Sequence, residues 1–312
     1  MPDLPLAILL MGPTASGKTA TALKIVDNIP AEIISVDSAL VYRGMDIGTS
    51  KPDGPTLKRY PHHLINILDP IDAYSAAQFK DDALKLMKCI SERGNVPVLV
   101  GGTMLYFRAL TQGLSSLPSA DPDIRQRLED ELKQNGLSFM YQKLCKIDPV
   151  AAKKIHENDP QRIQRALEVY KITGIPLSQW WENEKTTKLP YTLLKFATNT
   201  QSRAALHKRI EIRFDQMLKD GFVEEVETLK SSGELNLDKP SMRAVGYRQI
   251  WQYLDKQFNY DEMRFRGIVA TRQLAKRQIT WLRSEQDLHW IDTEEKDFFE
   301  KALKKINTIP RV

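Results

Sequence analysis

The run Gly12-Pro13-Thr14-Ala15-Ser16-Gly17-Lys18-Thr19 fits the pattern G-x-x-x-x-G-K-[ST] in full. It follows an apolar stretch and opens a helical pattern, the context in which such a loop holds phosphate. The glycines let successive backbone amides turn into one cavity, and the helix start adds positive potential. Lys18 adds a whole charge, and Thr19 offers a hydroxyl to Mg2+. Whose phosphates are bound is a separate question. A hydrolysing nucleotidase ordinarily carries a carboxylate at the end of a later strand, where it helps to hold the metal. Here Pro97–Val100 runs into Gly101-Gly102-Thr103 with no acid at its end, whereas Asp37 closes an earlier apolar run and precedes Ser38. Ligands of open α/β sheets collect at the carboxyl ends of the strands, so Asp37, Ser38 and Thr103 are expected to face the cavity of the phosphate loop. Asp37 also suits a helix cap or a loop hydrogen bond.

Those groups need a sheet to hold them. Leu6–Met11, Glu32–Val36, Pro97–Val100 and Leu193–Thr198 read as buried parallel strands, with Leu288–Ile291 a weaker fifth. Helical patterns alternate with them, which predicts an α/β fold, a P-loop NTPase-like parallel sheet core. Ser75–Arg93 opens with the capping box Ser75-x-x-Gln78 and stops at Gly94, so it is the expected crossover helix before the third strand. From Leu117 to about Pro190 no strand pattern occurs. Asp121-Pro122, Asp148-Pro149 and Asp159-Pro160 each precede a helical pattern, Asp accepting free amides and Pro fitting the first turn. The third of these helices ends at Gly174, with Pro176 beyond. The expected organisation is a catalytic core of residues 1–116 and 190–312 with an all-helical insertion domain, 117–189.

At 42% hydrophobic and 27% charged residues, the chain of 312 residues has the composition of a folded globular protein rather than a disordered one. The apolar run Leu4–Met11 is too short to cross a bilayer, and Asp3 stands where a signal peptide has basic residues. No membrane association is expected. Two cysteines, Cys89 and Cys145, do not make a disulfide framework or a cysteine-rich zinc site, and a reduced, cytoplasmic protein is expected. The net charge, 45 − 40 = +5, is a weak pointer to nucleic acid, so the placement of the basic residues matters more.

Several stretches resemble the bacterial tRNA dimethylallyltransferases, the tRNA isopentenylpyrophosphate transferases. They are the loop Gly12–Thr19, the segment Asp37 to Thr49, Gly101-Gly102-Thr103, Asp159-Pro160-Gln161-Arg162, Val245-Gly246-Tyr247-Arg248 and Thr271 to Gln278, in family order through nearly the whole chain. The resemblance implies transfer of a dimethylallyl group from dimethylallyl diphosphate to the exocyclic N6 amine of the adenosine 3′ of the anticodon, with release of pyrophosphate. It implies Mg2+ as cofactor, held in part by Thr19, the tRNA anticodon arm as partner of the insertion, and a monomer. Asp37 would be the general base, with Lys18 and Thr19 also catalytic. The diphosphate would lie on Gly12, Pro13, Thr14, Ala15, Ser16, Gly17, Lys18 and Thr19, with Arg213 beside it. Residues implied to meet tRNA are Asp37, Ser38, Ala39, Leu40, Thr103, Arg125, Gln161, Ile163, Gln164, Arg162, Arg165, Arg243, Ala244, Val245, Gly246, Tyr247 and Arg248. The set continues through Ala275, Lys276, Arg277, Gln278, Ile279, Thr280, Trp281 and Leu282. Leu40 stands where many relatives have Gln, and the zinc-binding tail of eukaryotic relatives does not follow the basic helix.

The residues themselves support part of this. If Gly267–Arg283 is one helix, then Arg272, Lys276 and Arg283 lie within about 40° of one another, a stripe suited to a phosphate backbone. A solvated helix face has the same pattern. Within Pro160–Thr173, Ile163, Leu167 and Tyr170 form the core-facing stripe, with Arg162 and Arg165 beside it. Arg209 and Arg213 also fit surface pairs with Glu211 or Asp215. His62-His63 is rejected as a metal pair, because adjacent residues diverge and no further ligands are evident. Trp180-Trp181, after a helix stop, fits packing more often than base stacking and is given no role. Two other functions share the loop: an ATP-dependent small-molecule or nucleoside kinase, and an RNA-binding regulator switched by a nucleotide.

Overall fold

The computed structural model describes residues 4–113, 117–182, 189–200 and 202–309. The elements in chain order are β1 (Leu6–Met11), α1 (Lys18–Asn28), β2 (Ala31–Val36), α2 (Gly54–Arg59), β3 (His62–His63), α3 (Ala76–Glu92), β4 (Val96–Gly101) and α4 (Met104–Gln112). Next come α5 (Pro122–Ile147), α6 (Pro149–Lys154), α7 (Pro160–Thr173) and α8 (Leu177–Glu182). The rest are β5 (Thr192–Asn199), α9 (Arg203–Lys219), α10 (Phe222–Ser231), α11 (Tyr247–Leu254), α12 (Tyr260–Leu282), β6 (Leu288–Asp292) and α13 (Phe298–Asn307).

The strands form one parallel sheet in the order β3-β2-β4-β1-β5-β6. Every residue of β1 is buried, as a central strand covered on both faces must be. Ile8, Leu10, Ile33, Val98 and Phe196 pack toward Ala22 and Ile25 of α1 and Ala302 and Ile306 of α13. Leu9, Ile34, Val36 and Leu99 face Phe79 and Met87 of α3 and Phe107 and Leu110 of α4. Each such aliphatic side chain contributes about 1.5–3 kcal/mol by leaving water, so this double-sided burial fixes the sheet. The five expected strands are all present, and the structure adds β3, two residues too short to carry a periodic signal. The Ser75 hydroxyl accepts from Gln78 N–H and Gln78 Oε1 from Ser75 N–H, the capping box expected of α3.

The chain divides into two compact units, Met1–Leu110 with Leu189–Val312, and Thr111–Lys188. The boundary expected at 116/117 adjoins residues 114–116, which lie outside the described ones. The second unit contains only helices among its described residues. Asp121, Asp148 and Asp159 cap α5, α6 and α7, each accepting a first-turn amide at 2.9–3.1 Å. Asp148 also accepts from Ser178 N–H at 2.8 Å, joining α6 to α8. Gly136, at φ 79°, kinks α5 into two segments. Trp180 and Trp181 pack against the core of this unit, as their position after a helix stop suggested.

In the first unit, α9 to α12 enclose a separate core around Phe214, Phe222, Met242, Tyr247 and Met263. Here the helix considered over Gly267–Arg283 is present and longer at its start. It starts at Tyr260, where Asn259 caps it by accepting from Glu262 N–H, and Gly267 lies inside it. A Cβ at Gly267 would sit 2.1 Å from the Phe214 ring, so this glycine marks a close crossing of α12 over α9. No helix among the described residues is long and apolar enough to cross a membrane.

Candidate active site

The phosphate loop turns between β1 and α1 through Ala15 and Gly17, at φ 63° and 87°. Its shape is held from outside by three elements. Ser16 is fully buried, and its hydroxyl donates to Pro13 O and shares a 2.7 Å hydrogen bond with Thr198 Oγ1 at the end of β5. A Cβ at Gly12 would lie 2.4 Å from that same Oγ1, which is why glycine opens the loop. Thr293, just after β6, donates to Ser16 O at 3.2 Å. Gln278 of α12 accepts from Thr14 N–H and donates to Gly102 O, both at 2.9 Å. The Lys18 ammonium donates to Pro13 O at 2.6 Å, inside the curl of the loop.

The loop opens onto a cavity of about 190 Å3 whose lining includes Thr14, Ala15, Lys18, Thr19, Asp37 and Arg213. Asp37 leaves the carboxyl end of β2, and its Oδ1 accepts from Ala39 N–H at 2.9 Å, a local turn that fixes the carboxylate. Ser38 and Thr103 do not line the cavity, contrary to expectation. Ser38 N–H instead donates to Thr103 Oγ1 at 3.0 Å, and Thr103 N–H to Val36 O, so this pair ties the ends of β2 and β4 together. The two glycines that close β4 have a steric cause. A Cβ at Gly101 would be 1.9 Å from Val36 O, and one at Gly102 2.3 Å from Gln278 Nε2.

Arg213 is the second cation of the cavity. Its Nε–H donates to Ser50 Oγ at 2.8 Å, while Glu211 and Asp215, its possible surface partners, bind Arg264 instead. Arg209 pairs elsewhere, with Glu294. Burial, and then the charge of Arg213, push the Lys18 ammonium down to about 7, while Asp37 opposes the shift. Burial also lowers the Arg213 guanidinium, again opposed by Asp37. Two mutually repelling cations facing one carboxylate form a site prepared for an anion. Part of the cavity wall is apolar, made by Leu40, Ile210, Phe214, Met217, Phe222 and Leu274.

The IPP transferase family model matches residues 40–285. The chain is similar to the tRNA isopentenylpyrophosphate transferase of Bacillus halodurans, with 38% identity and TM-score 0.71 over 98% of this chain and 95% of that one. The chain belongs to the IPP transferase family. The transferase is also similar to the tRNA isopentenylpyrophosphate transferase of Staphylococcus epidermidis, at 33% identity and TM-score 0.71, covering 97% of this chain and 99% of that one. A eukaryotic dimethylallyltransferase acting on tRNA matches with 25% identity and TM-score 0.83 over 98% of this chain and 81% of that one.

The residues implied to meet RNA separate in the transferase into four groups. Ser38, Arg125, Gln161, Arg162, Arg243, Arg248, Lys276, Arg277 and Thr280 are exposed, while Asp37, Ala39, Leu40, Ala244 and Val245 line the cavity. Thr103, Gln164, Arg165, Ile279 and Trp281 are half-buried. Ile163, Gly246, Ala275 and Leu282 are buried away from the cavity lining, while Tyr247 and Gln278, also buried, take part in it. The buried Glu168 carboxylate accepts from Arg125 at 2.8 Å and Arg165 at 2.6 Å, which makes Arg165 chiefly a structural partner. Arg272 also leaves the proposed stripe, because it pairs with Glu211 at 3.3 Å, and the exposed cations at this end of α12 are Lys276, Arg277 and Arg283.

His62 and His63 part as expected, His62 Nδ1 to Tyr60 O and His63 Nε2 to Glu32. Among the described residues no group of three or more His, Cys, Asp or Glu is placed to hold a metal. Thr19 and Asp37 do share the cavity, a hydroxyl and one carboxylate, which suits an Mg2+ held mainly by diphosphate oxygens and water. Thr198, Thr293, Ser50 and the aromatic wall were not singled out from sequence. Only Thr198 left a signal there, a hydroxyl at the carboxyl end of a core strand.

Proposed function

We propose that this transferase moves the dimethylallyl group of dimethylallyl diphosphate to the exocyclic N6 amine of the adenosine 3′ of the anticodon in tRNA, releasing pyrophosphate. One observation carries the reading: the phosphate loop, two cations, a carboxylate and an apolar wall share a single cavity. A phosphate loop alone suits any nucleotide. The wall of Phe214, Met217, Phe222 and Leu274 is matched to a five-carbon hydrocarbon, and Asp37 to an amine that must lose a proton.

The adenine amine is a poor nucleophile because its lone pair is delocalised into the ring. As the nitrogen–carbon bond forms, the carbon–oxygen bond to diphosphate breaks and its electron pair leaves with pyrophosphate. Asp37 takes the amine proton, and the loop amides, Lys18 and Arg213 receive the charge that gathers on the leaving group. Mg2+, held by Thr19 and the diphosphate, supplies further neutralisation of that charge when bound. The target base is stacked in the anticodon loop and has to leave the stack to reach the cavity. A test is to supply unmodified tRNA and dimethylallyl diphosphate without any nucleotide. The expected result is pyrophosphate release that needs both substrates; no release here, with ATP consumed in a parallel reaction that contains it, would favour the kinase reading.

The exposed cations of α12 are proposed to neutralise RNA phosphates. Lys276→Gln keeps most of the stem and removes the charge, so the helix survives. It is expected to weaken tRNA binding at moderate salt and to reduce the slope of log affinity against log salt by a little under one unit, by analogy with duplex DNA. Affinity for dimethylallyl diphosphate should not change. A salt series on both proteins checks this, and identical slopes would remove Lys276 from the RNA surface.

A further inference from the structure

Three consecutive amides in the turn after β2 point at one carboxylate. Glu225 of α10 accepts from Asp46 N–H at 2.9 Å and Ile47 N–H at 2.7 Å on Oε2, and from Gly48 N–H at 3.2 Å on Oε1. The hydroxyl of Tyr247, which is fully buried, donates to the same carboxylate at 2.5 Å. Successive amides of this kind make an anion nest, and here the protein's own side chain fills it. The segment is pressed against an aromatic floor, since a Cβ at Gly48 would lie 2.0 Å from the Phe222 ring and 2.6 Å from the Tyr247 ring. On its other side the Lys51 ammonium donates to Tyr42 O, Asp46 Oδ1 and Asn66 Oδ1. Between these anchors Ser50 is held at φ 50°, a left-handed conformation that a serine adopts only under constraint. Its Oγ accepts from Arg213 Nε–H at 2.8 Å.

We infer that Glu225 is a positioning residue for the leaving group: by gripping the amides of Asp46, Ile47 and Gly48 it fixes Ser50, and through Ser50 the guanidinium of Arg213. Glu225 does not line the cavity. It acts through four hydrogen bonds to its own chain, and the charge of the carboxylate is what satisfies so many donors at once. An amide in its place keeps the size but has a single accepting oxygen, so the turn loses its grip and Arg213 its fixed direction.

The inference rests on the diphosphate reading of the cavity, and the test separates the two. Inorganic pyrophosphate is titrated with Mg2+ into the wild-type chain, Glu225→Gln, Ser50→Ala and the double variant, with melting curves to confirm folding. Wild type binds; failure to bind would overturn the reading of the cavity itself. Glu225→Gln and Ser50→Ala are each expected to weaken pyrophosphate binding about tenfold, the order of a lost charge-assisted hydrogen bond. The double variant should be no weaker than the worse single one, because both act on Arg213 by one route. Equal affinity in wild type and Glu225→Gln, or effects that multiply in the double variant, would overturn the role of Glu225. Should Glu225→Gln not fold, Tyr247→Phe removes one of the four hydrogen bonds and leaves the three amides held. It is expected to weaken binding less, in the same direction and without further loss in the Ser50→Ala background. Unchanged binding in Tyr247→Phe and Ser50→Ala would equally sink the idea.

Discussion

Asp37→Asn lowers the rate of dimethylallyl transfer by about 10²–10⁴-fold, the usual worth of a general base, while tRNA affinity hardly moves. The substitution is nearly isosteric, and its amide oxygen still accepts from Ala39 N–H, so the turn after β2 survives. What disappears is the ability to accept the amine proton as the new bond forms. The loss should therefore fall on the chemical step in single-turnover measurements with both substrates saturating. A near-normal rate under those conditions would take Asp37 out of the mechanism. Loss of tRNA binding instead would make Asp37 a docking residue.

Lys18→Ala is expected to slow transfer by about 10²–10³-fold, as when a donor to developing negative charge is removed, and to weaken diphosphate binding. Affinity for tRNA should remain, because Lys18 lies within the curl of the phosphate loop. The same residue predicts a pH dependence. In the free protein burial and Arg213 push the Lys18 ammonium down to about 7, so above that pH the amine is largely neutral. A bound diphosphate favours the charged form and raises the value again, so binding takes up a proton. Pyrophosphate affinity of the wild type should therefore fall as pH rises through 7, by up to about tenfold per pH unit. Lys18→Ala should lack this component of the profile. Calorimetric titrations across pH check it, and parallel profiles for the two proteins would contradict the assignment.

The parts of the fold that were legible in the sequence are those with local physical causes. Apolar runs such as Leu6–Met11 and Leu193–Thr198 are strands because a central parallel sheet buries both faces. The three Asp-Pro pairs start helices because cap and proline act within one turn. The phosphate loop was legible for the same reason, since its glycines and Lys18 lie together in the chain. What stayed hidden depends on partners far apart in sequence. The helix considered over Gly267–Arg283 begins earlier, at Tyr260, and the need for a bare Cα at Gly267 comes from the distant Phe214 ring. Arg272 looked like part of a free stripe, but Glu211 sits opposite it, and Gln278 turned inward to hold Thr14 and Gly102. Arg213 had two acidic neighbours in sequence and chose neither, because Arg264 takes them both. The apolar wall draws on β2's following turn and on α9, α10 and α12, and nothing local marks its members as one surface.

The most direct measurement of the central claim is nucleoside mass spectrometry of unmodified tRNA after incubation with the chain, Mg2+ and dimethylallyl diphosphate, without ATP. The account predicts that one adenosine, next to the anticodon on its 3′ side, gains the mass of a single five-carbon dimethylallyl unit at its N6 position, with one pyrophosphate released per unit added. Unaltered adenosines under these conditions, with pyrophosphate bound but tRNA unmodified, would contradict it.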